Sequence, residues 1–154
     1  MPPDEGPARP TLLVTTDTSP LGDHALAHAR ELAAGLGAEL CALLVLPDPL
    51  PAVADGIAYL PPVSQEDLLA ERREAGERLA ARVPGARVRV ERATGRPIPS
   101  VILGVAHEEN ARLIVMSTHG RSGLSRALLG SVAEALKPAG RKAGKILLLW
   151  KHYC

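Results

Sequence analysis

Apolar and polar residues alternate in blocks along the chain, and the lengths and internal periods of the blocks separate strands from helices. Thr11–Thr16 (TLLVTT) is a short, nearly continuous apolar run, the pattern of a strand covered on both faces. Residues 19–37 (SPLGDHALAHARELAAGLG) carry helix signals: Ser19 as N-cap, Pro20 at the first helical position and glycines at the close. Leu21, Ala25, Leu32 and Leu36 fall on one side at helical spacing and are the predicted buried face. Glu39–Leu46 (ELCALLVL) reads as a second buried strand.

The next stretch, residues 47–63, holds five prolines and can be neither regular helix nor central strand, so it is expected to be a mobile surface excursion. Ser64-Gln65-Glu66-Asp67 has capping-box spacing, with Asp in the place of Glu or Gln, and opens a charged helix to about Arg82. Arg87–Ala93 alternates polar and apolar like a half-exposed strand. A helix from about Ile98 to Asn110, a strand Leu113–Thr118, a helix Ser131–Ala139 and a last strand Lys145–Trp150 complete the series. Strands alternating with helices imply an α/β fold: one open parallel sheet, right-handed crossovers and helices on both faces.

Composition adds bounds. At 154 residues and 46% hydrophobic, the chain is expected to be one domain, residues 11–154, behind a flexible arm, residues 1–10. The opening MPPDEGPARP is acidic and Pro-rich, unlike a secretory signal, and no apolar run reaches the eighteen or so residues that span a bilayer. Cys41 lies in an apolar run and Cys154 ends the chain, which argues against a disulfide and for a cytoplasmic address. From His119 onward seven Lys or Arg face the single acid Glu134, an asymmetry that suits an anionic partner or a solvated basic face. Aromatics are only 2% and Phe is absent, so a base-stacking surface for nucleic acid is disfavoured.

In open parallel sheets ligands bind beyond the carboxyl ends of the strands, where strand order reverses. Two strand ends carry the chemistry for this. Thr11–Thr16 runs into Asp17, and Leu113–Thr118 runs into a loop, Ser117 to Ser131, of glycines, hydroxyls and arginines. Gly120 permits close approach of a ligand to the backbone, and Gly130-Ser131 stand where a helix start would offer unpaired N–H groups and the positive end of its dipole. Hydrogen bonds to a charged phosphate are worth roughly 1.5–3 kcal/mol each, so three or four of them with a buried base approach the roughly 8 kcal/mol of micromolar binding. A phosphate cradle and a plain crossover loop both remain open on chemistry alone.

The residues resemble, from Thr11 to Trp150, the universal stress protein family, whose nucleotide-binding members carry G-x2-G-x9-G-[ST] after the fourth strand. Here the loop reads Ser117-Thr118-His119-Gly120, nine residues, then Gly130-Ser131, with Ser117 in the place of the first glycine. TTDTSP at the first strand end, TGRPIPSVI before the third main helix and a closing apolar strand add to the likeness. The resemblance implies a Rossmann-like sheet of the adenine nucleotide alpha hydrolase type, strand order 3-2-1-4-5, and ATP or a related adenine nucleotide between strands 1 and 4. Carried over by position, Asp17 and Thr15 meet the adenine and ribose, Val45 offers backbone atoms to the adenine edge, and Met116 packs near the ribose. Gly120 admits the phosphates, Gly130, Ser131 and Val132 bind them, and Ser117 lies against ribose or phosphate. Mg²⁺ or Mn²⁺ rides on the phosphates, since the loop supplies no carboxylate cage.

The resemblance also implies a homodimer through Lys145–Trp150, and a role in stress response through ligand-dependent association. The alternative is a nucleotide-independent dimeric interaction protein of the same fold, because of Ser117. His119 has no nucleophile and orienting acid at defined spacing and reads as a loop residue. Arg121 and Arg126 are candidates for phosphate contact, while Ser122 and Ser125 read as ordinary loop hydroxyls. No G-x4-G-K-[ST] loop and no G-x-G-x-x-G turn occur, which leaves ATP hydrolysis slow at most and argues against a dinucleotide oxidoreductase.

Overall fold

A computed structural model describes residues 8–117, 132, 134–136, 138 and 146–150. A five-stranded parallel sheet is built from β1 (Thr11–Thr16), β2 (Glu39–Leu46), β5 (Arg87–Arg92), β6 (Ala111–Ser117) and β7 (Ile146–Trp150). Its order is β5-β2-β1-β6-β7, which is the expected 3-2-1-4-5 once the short hairpin strands are set aside. The helices are α1 (Pro20–Leu36), α2 (Gln65–Arg82) and α3 (Ile98–Glu108).

Every residue of β1 is buried, as its apolar run requires for a central strand. Side chains alternate across the sheet and divide the core in two. Leu12, Val14, Ala42, Leu44 and Val115 pack with residues of α1 and α2 on one face. Leu13, Cys41, Leu43, Ile114 and Met116 pack with Ile102, Val105 and Ala106 of α3, and with Leu136, on the other. The crossovers from β1 through β2 to β5 step one way along the sheet and those from β5 through β6 to β7 the other, so right-handedness puts their helices on opposite faces.

The helix signals hold. Ser19 and Ser64 are side-chain N-caps, accepting from Gly22 N and Asp67 N, and Pro20 opens α1. Gly37, at φ 62°, closes α1, and Ala38 N–H returns to Ala33 O at 2.9 Å. The buried stripe of α1 differs from the expected one: it is Ala25, Leu26, Ala29 and Ala33, while Leu36 is 58% exposed and Leu32 only partly covered. Alanines at the contact let the helix lie close to the sheet, whereas Leu36 sits in the last turn, where the chain swings away. The Leu21 side chain lies outside what is described.

The Pro-rich excursion contains regular structure that its prolines concealed. β3 (Ala52–Ala54) and β4 (Ile57–Tyr59) form an antiparallel hairpin pairing Ala52 with Tyr59 and Ala54 with Ile57. Asp55 and Gly56, at φ 51° and 76°, make the two-residue turn with both angles positive that hairpins favour. Asp-Gly between two short apolar runs was the signal.

β5 is half-exposed, as its alternation predicts. Val90 enters the α1–α2 core, and the arginines of the alternate row pair with acids. Arg89 reaches Glu91 at 2.6 Å, Glu108 at 2.8 Å and Glu109 at 3.1 Å, and Arg87 pairs with Glu109. Burial pushes the Glu109 carboxyl up, but Arg89 and Arg87 outweigh it and hold it below the ordinary carboxylate range. Cys41 is a buried core residue, its thiol pushed up to about 11 by desolvation with a smaller push from Glu109. A thiol in that state is inert packing.

Candidate functional site

The carboxyl end of β1 is closed by a set of short polar locks. Thr15 and Thr16 are buried, and Thr16 Oγ1 accepts from Thr18 N at 3.0 Å, which holds Thr18 at φ 66°. Asp17 Oδ1 accepts from Ser19 N at 2.9 Å and from the Ser19 hydroxyl, while Ser19 Oγ in turn accepts from Gly22 N at 3.1 Å. The Asp17 carboxylate is thus fixed by its own helix start. Gly22 makes the corner possible: a Cβ there would run into Thr16 Oγ1 and stand 3.0 Å from Asp17 Oδ1. A glycine in the first turn of a helix is otherwise unfavourable, and that misplacement was the one sequence sign of this role.

Beyond this corner lies a cleft of about 480 Å³, and Asp17 and Val45 both line it. The register explains the pairing, because β1 and β2 run level up to Thr16 opposite Leu44, and each next residue reaches the cleft. Leu46, Pro47 and Ile98 contribute apolar lining, and the far wall is α2, through Ala75, Leu79 and the charged Glu71, Arg78 and Arg82. Sequence reading missed this helical wall. Nothing in the periodicity of α2 says which turn overhangs a strand tip.

Three side chains, Arg82, Arg92 and Asp48, hold the walls. Arg82 Nη1 meets Asp23 Oδ1 at 2.9 Å and ties α2 to α1. Arg92 bonds Glu71 and the Pro47 carbonyl, the latter at 3.1 Å, fastening α2 and the end of β2 to β5. The Asp48 carboxylate accepts from Thr94 N at 2.8 Å and Gly95 N at 2.6 Å, where φ is 52° and 73°. Those two amides, Gly95 first, hold Asp48 below the usual aspartate range.

β6 ends beside β1. Its register matches Val14 with Val115, which carries Ser117 level with Thr16 at the sheet's carboxyl edge. Met116 is 7% exposed and belongs to one cluster with Val45 and Val132. Thr15, Asp17, Val45, Met116 and Ser117 are therefore brought together at one end of adjacent strands, and Val132 packs against the same cluster. Thr118, His119, Gly120, Arg121, Ser122, Ser125, Arg126, Gly130, Ser131, Lys145 and Cys154 lie outside the described residues. Among the described residues no three His, Cys, Asp or Glu stand close enough to hold a metal ion, and no helix is long and apolar enough to cross a membrane.

Residues 9–136 match the model of the universal stress protein family. A universal stress protein of Methanocaldococcus jannaschii is 33% identical over 130 residues, 80% of this chain and 72% of that protein. One of Mycobacterium tuberculosis is 33% identical over 136 residues, and there the match takes in 88% of this chain but only 44% of the relative. Among solved structures, a universal stress protein in complex with cAMP has a TM-score of 0.58 at 24% identity, over 96% of this chain and all of that one. The Archaeoglobus fulgidus universal stress protein in complex with dAMP has a TM-score of 0.55 at 22% identity, over 92% and 96%. At such identities the structural likeness speaks to the fold, while the family match and the relatives one-third identical speak to descent. The chain belongs to the universal stress protein family.

Proposed function

We propose that this chain is a nucleotide-binding module that takes ATP or a related adenine nucleotide at the carboxyl ends of β1, β2 and β6. The observation that carries the reading is the shared cleft of Asp17 and Val45, whose roughly 480 Å³ falls in the range of small-molecule pockets. The cleft opens at the carboxyl tips of β1 and β2, beside the β1–β6 boundary where strand order reverses, and such boundaries are the usual position for ligands in these sheets. The cAMP and dAMP complexes of proteins with this fold support an adenine nucleotide as occupant.

In this reading the base lies along the Val45 backbone, with Thr15 and the locked Asp17 carboxylate at adenine and ribose. Met116 and Ser117 flank the ribose, Gly120 admits the phosphates, and Gly130, Ser131 and Val132 bind them at the start of the last crossover helix. Mg²⁺ or Mn²⁺ screens the phosphates from outside the protein. The module acts in the cytoplasm, in stress response, through associations biased by its ligand, as one domain over residues 11–154 with a homodimer contact along the last strand.

Titration calorimetry with ATP and Mg²⁺ tests the site. Micromolar binding is expected in the wild type, weakened about ten- to a hundredfold by Asp17→Ala, the worth of one charge-assisted hydrogen bond. Gly130→Val is expected to abolish it. No heat in the wild type, together with binding restored by Ser117→Gly, would replace this reading with a nucleotide-independent interaction protein on the same scaffold.

A further inference from the structure

The two links that carry the β3–β4 hairpin are rooted in the walls of the cleft. Asp48, fastened to Thr94 and Gly95, directly follows Pro47 of the cleft lining. Ser64, at the other end, caps α2, the helix that forms the far wall. Only four steps of chain separate Asp48 from Ala52, a reach of at most about 14 Å. The base of the hairpin therefore stays near the cleft mouth, and the Asp55-Gly56 turn is its outlying end. Tyr59 belongs to that base, since it pairs with Ala52, the first residue of β3. It shares a face with Ile57, and the residues opposite the two, Ala52 and Ala54, are too small to cover either. Tyr59 is 47% exposed and Ile57 70%, and the hairpin strands make their main contacts with each other.

We propose that Tyr59 is a further ligand-binding residue: the hairpin swings onto the cleft and lays the tyrosine ring on the open face of the bound purine. The proposal rests on the nucleotide reading and adds to it the group that covers the base. Among the described residues the cleft lining holds no aromatic ring, and its apolar part is Leu44, Leu46, Pro47, Ala75, Leu79 and Ile98. A purine laid against these side chains keeps one π face toward water, and an aromatic ring stacked on such a face raises affinity roughly tenfold or more. The chain has three aromatic residues in all. Trp150 stands in the edge strand β7, with β1 and β6 between it and β2, and Tyr153 lies outside the described residues. Tyr59 is carried on links that begin at the cleft itself. In this structure no residue from 50 to 63 lines the cleft, so the hairpin stands open. Pro49, Pro51, Pro61 and Pro62 restrict the links to few backbone conformations, which lowers the entropy lost when the hairpin closes.

Titration calorimetry of the full chain with ATP and Mg²⁺ is the test, with Tyr59→Ala and Tyr59→Phe beside the wild type. Tyr59 is outside the core clusters, so both variants are expected to keep the wild-type circular dichroism. Tyr59→Ala should raise the dissociation constant roughly tenfold or more, and Tyr59→Phe, which keeps the ring, should restore it. Tyr59→Trp reads closure directly: ATP should quench its emission beyond any change that Trp150 shows in the wild type. Tight ATP binding that Tyr59→Ala leaves unchanged, with no added quenching, overturns the proposal and leaves the nucleotide site standing. Equal losses in Tyr59→Ala and Tyr59→Phe would make the hydroxyl the contact and overturn stacking. No ATP binding by the wild type removes the nucleotide reading and this proposal with it. A change of molecular mass in Tyr59→Ala at unaltered ATP affinity would assign the hairpin to assembly and also overturn the proposal.

Discussion

Two segments leave neighbouring strand tips at the same end of the sheet and are built in opposite ways. Where β1 ends, Thr16, Asp17, Ser19 and Gly22 close on one another within seven residues through side-chain and backbone hydrogen bonds, with no room for a methyl group. Where β2 ends, the chain runs out into a hairpin held by its own ladder, with large apolar side chains in water. A polar lock holds one carboxylate in a defined orientation, which suits recognition of a small polar ligand. An apolar hairpin fixes no single atom and offers area, which suits another surface. The same end of the sheet therefore carries two kinds of recognition, and the difference lies in whether side chains bond inward or face out.

The comparison can be broken by substitution. The largest effect is expected in the sheet that both segments spring from: Leu43→Ala, at a fully buried position of β2, should cost about 2–5 kcal/mol in urea denaturation. Gly22→Ala should cost about 1–3 kcal/mol, the range for overpacking, and should also remove adenine nucleotide binding, because Asp17 must move. Loss of stability with binding intact would mean that the corner is structural only. Ser19→Ala, which deletes the cap and one donor to Asp17, should cost about 1 kcal/mol.

At the hairpin root the effect is smaller and tied to pH. The folded-state value of Asp48 is depressed, so its contribution is fully present above the unfolded aspartate value and disappears as pH falls through the folded one. The Thr94 and Gly95 amide resonances should titrate together with a midpoint below the ordinary aspartate range, and Asp48→Asn should abolish that transition. Ile57→Ala should change the stability of the dispersed chain by no more than about 0.5 kcal/mol.

The parallel sheet and its helices were legible because their signals are local and repeated. β1 and β2 are apolar throughout, Ser19, Ser64 and Gly37 sit at the helix ends, and β5 alternates. Asp17 was legible as a strand-end residue for the same reason, standing one step past a buried run, whereas Val45 was reached only through the family resemblance. The hairpin was hidden by its prolines, which argue against strand in general while permitting three-residue edge strands between them. The buried stripe of α1 keeps the expected Ala25 but is rotated around the helix toward Leu26, Ala29 and Ala33, because leucine spacing alone does not tell which side chains the sheet can accept at close range.

Sequence by itself determined the order of elements, their caps, the family, and which residues stand at strand tips, since each follows from neighbours within a few positions. Tertiary structure alone decided that α2 walls the cleft, that Gly22 must lack a side chain, and that Arg82 and Asp48 brace the walls, because these depend on atoms distant along the chain meeting in space. The exposed faces of the hairpin belong to the same class: an apolar residue is written identically whether it ends in a core or in water, and only packing tells the two apart.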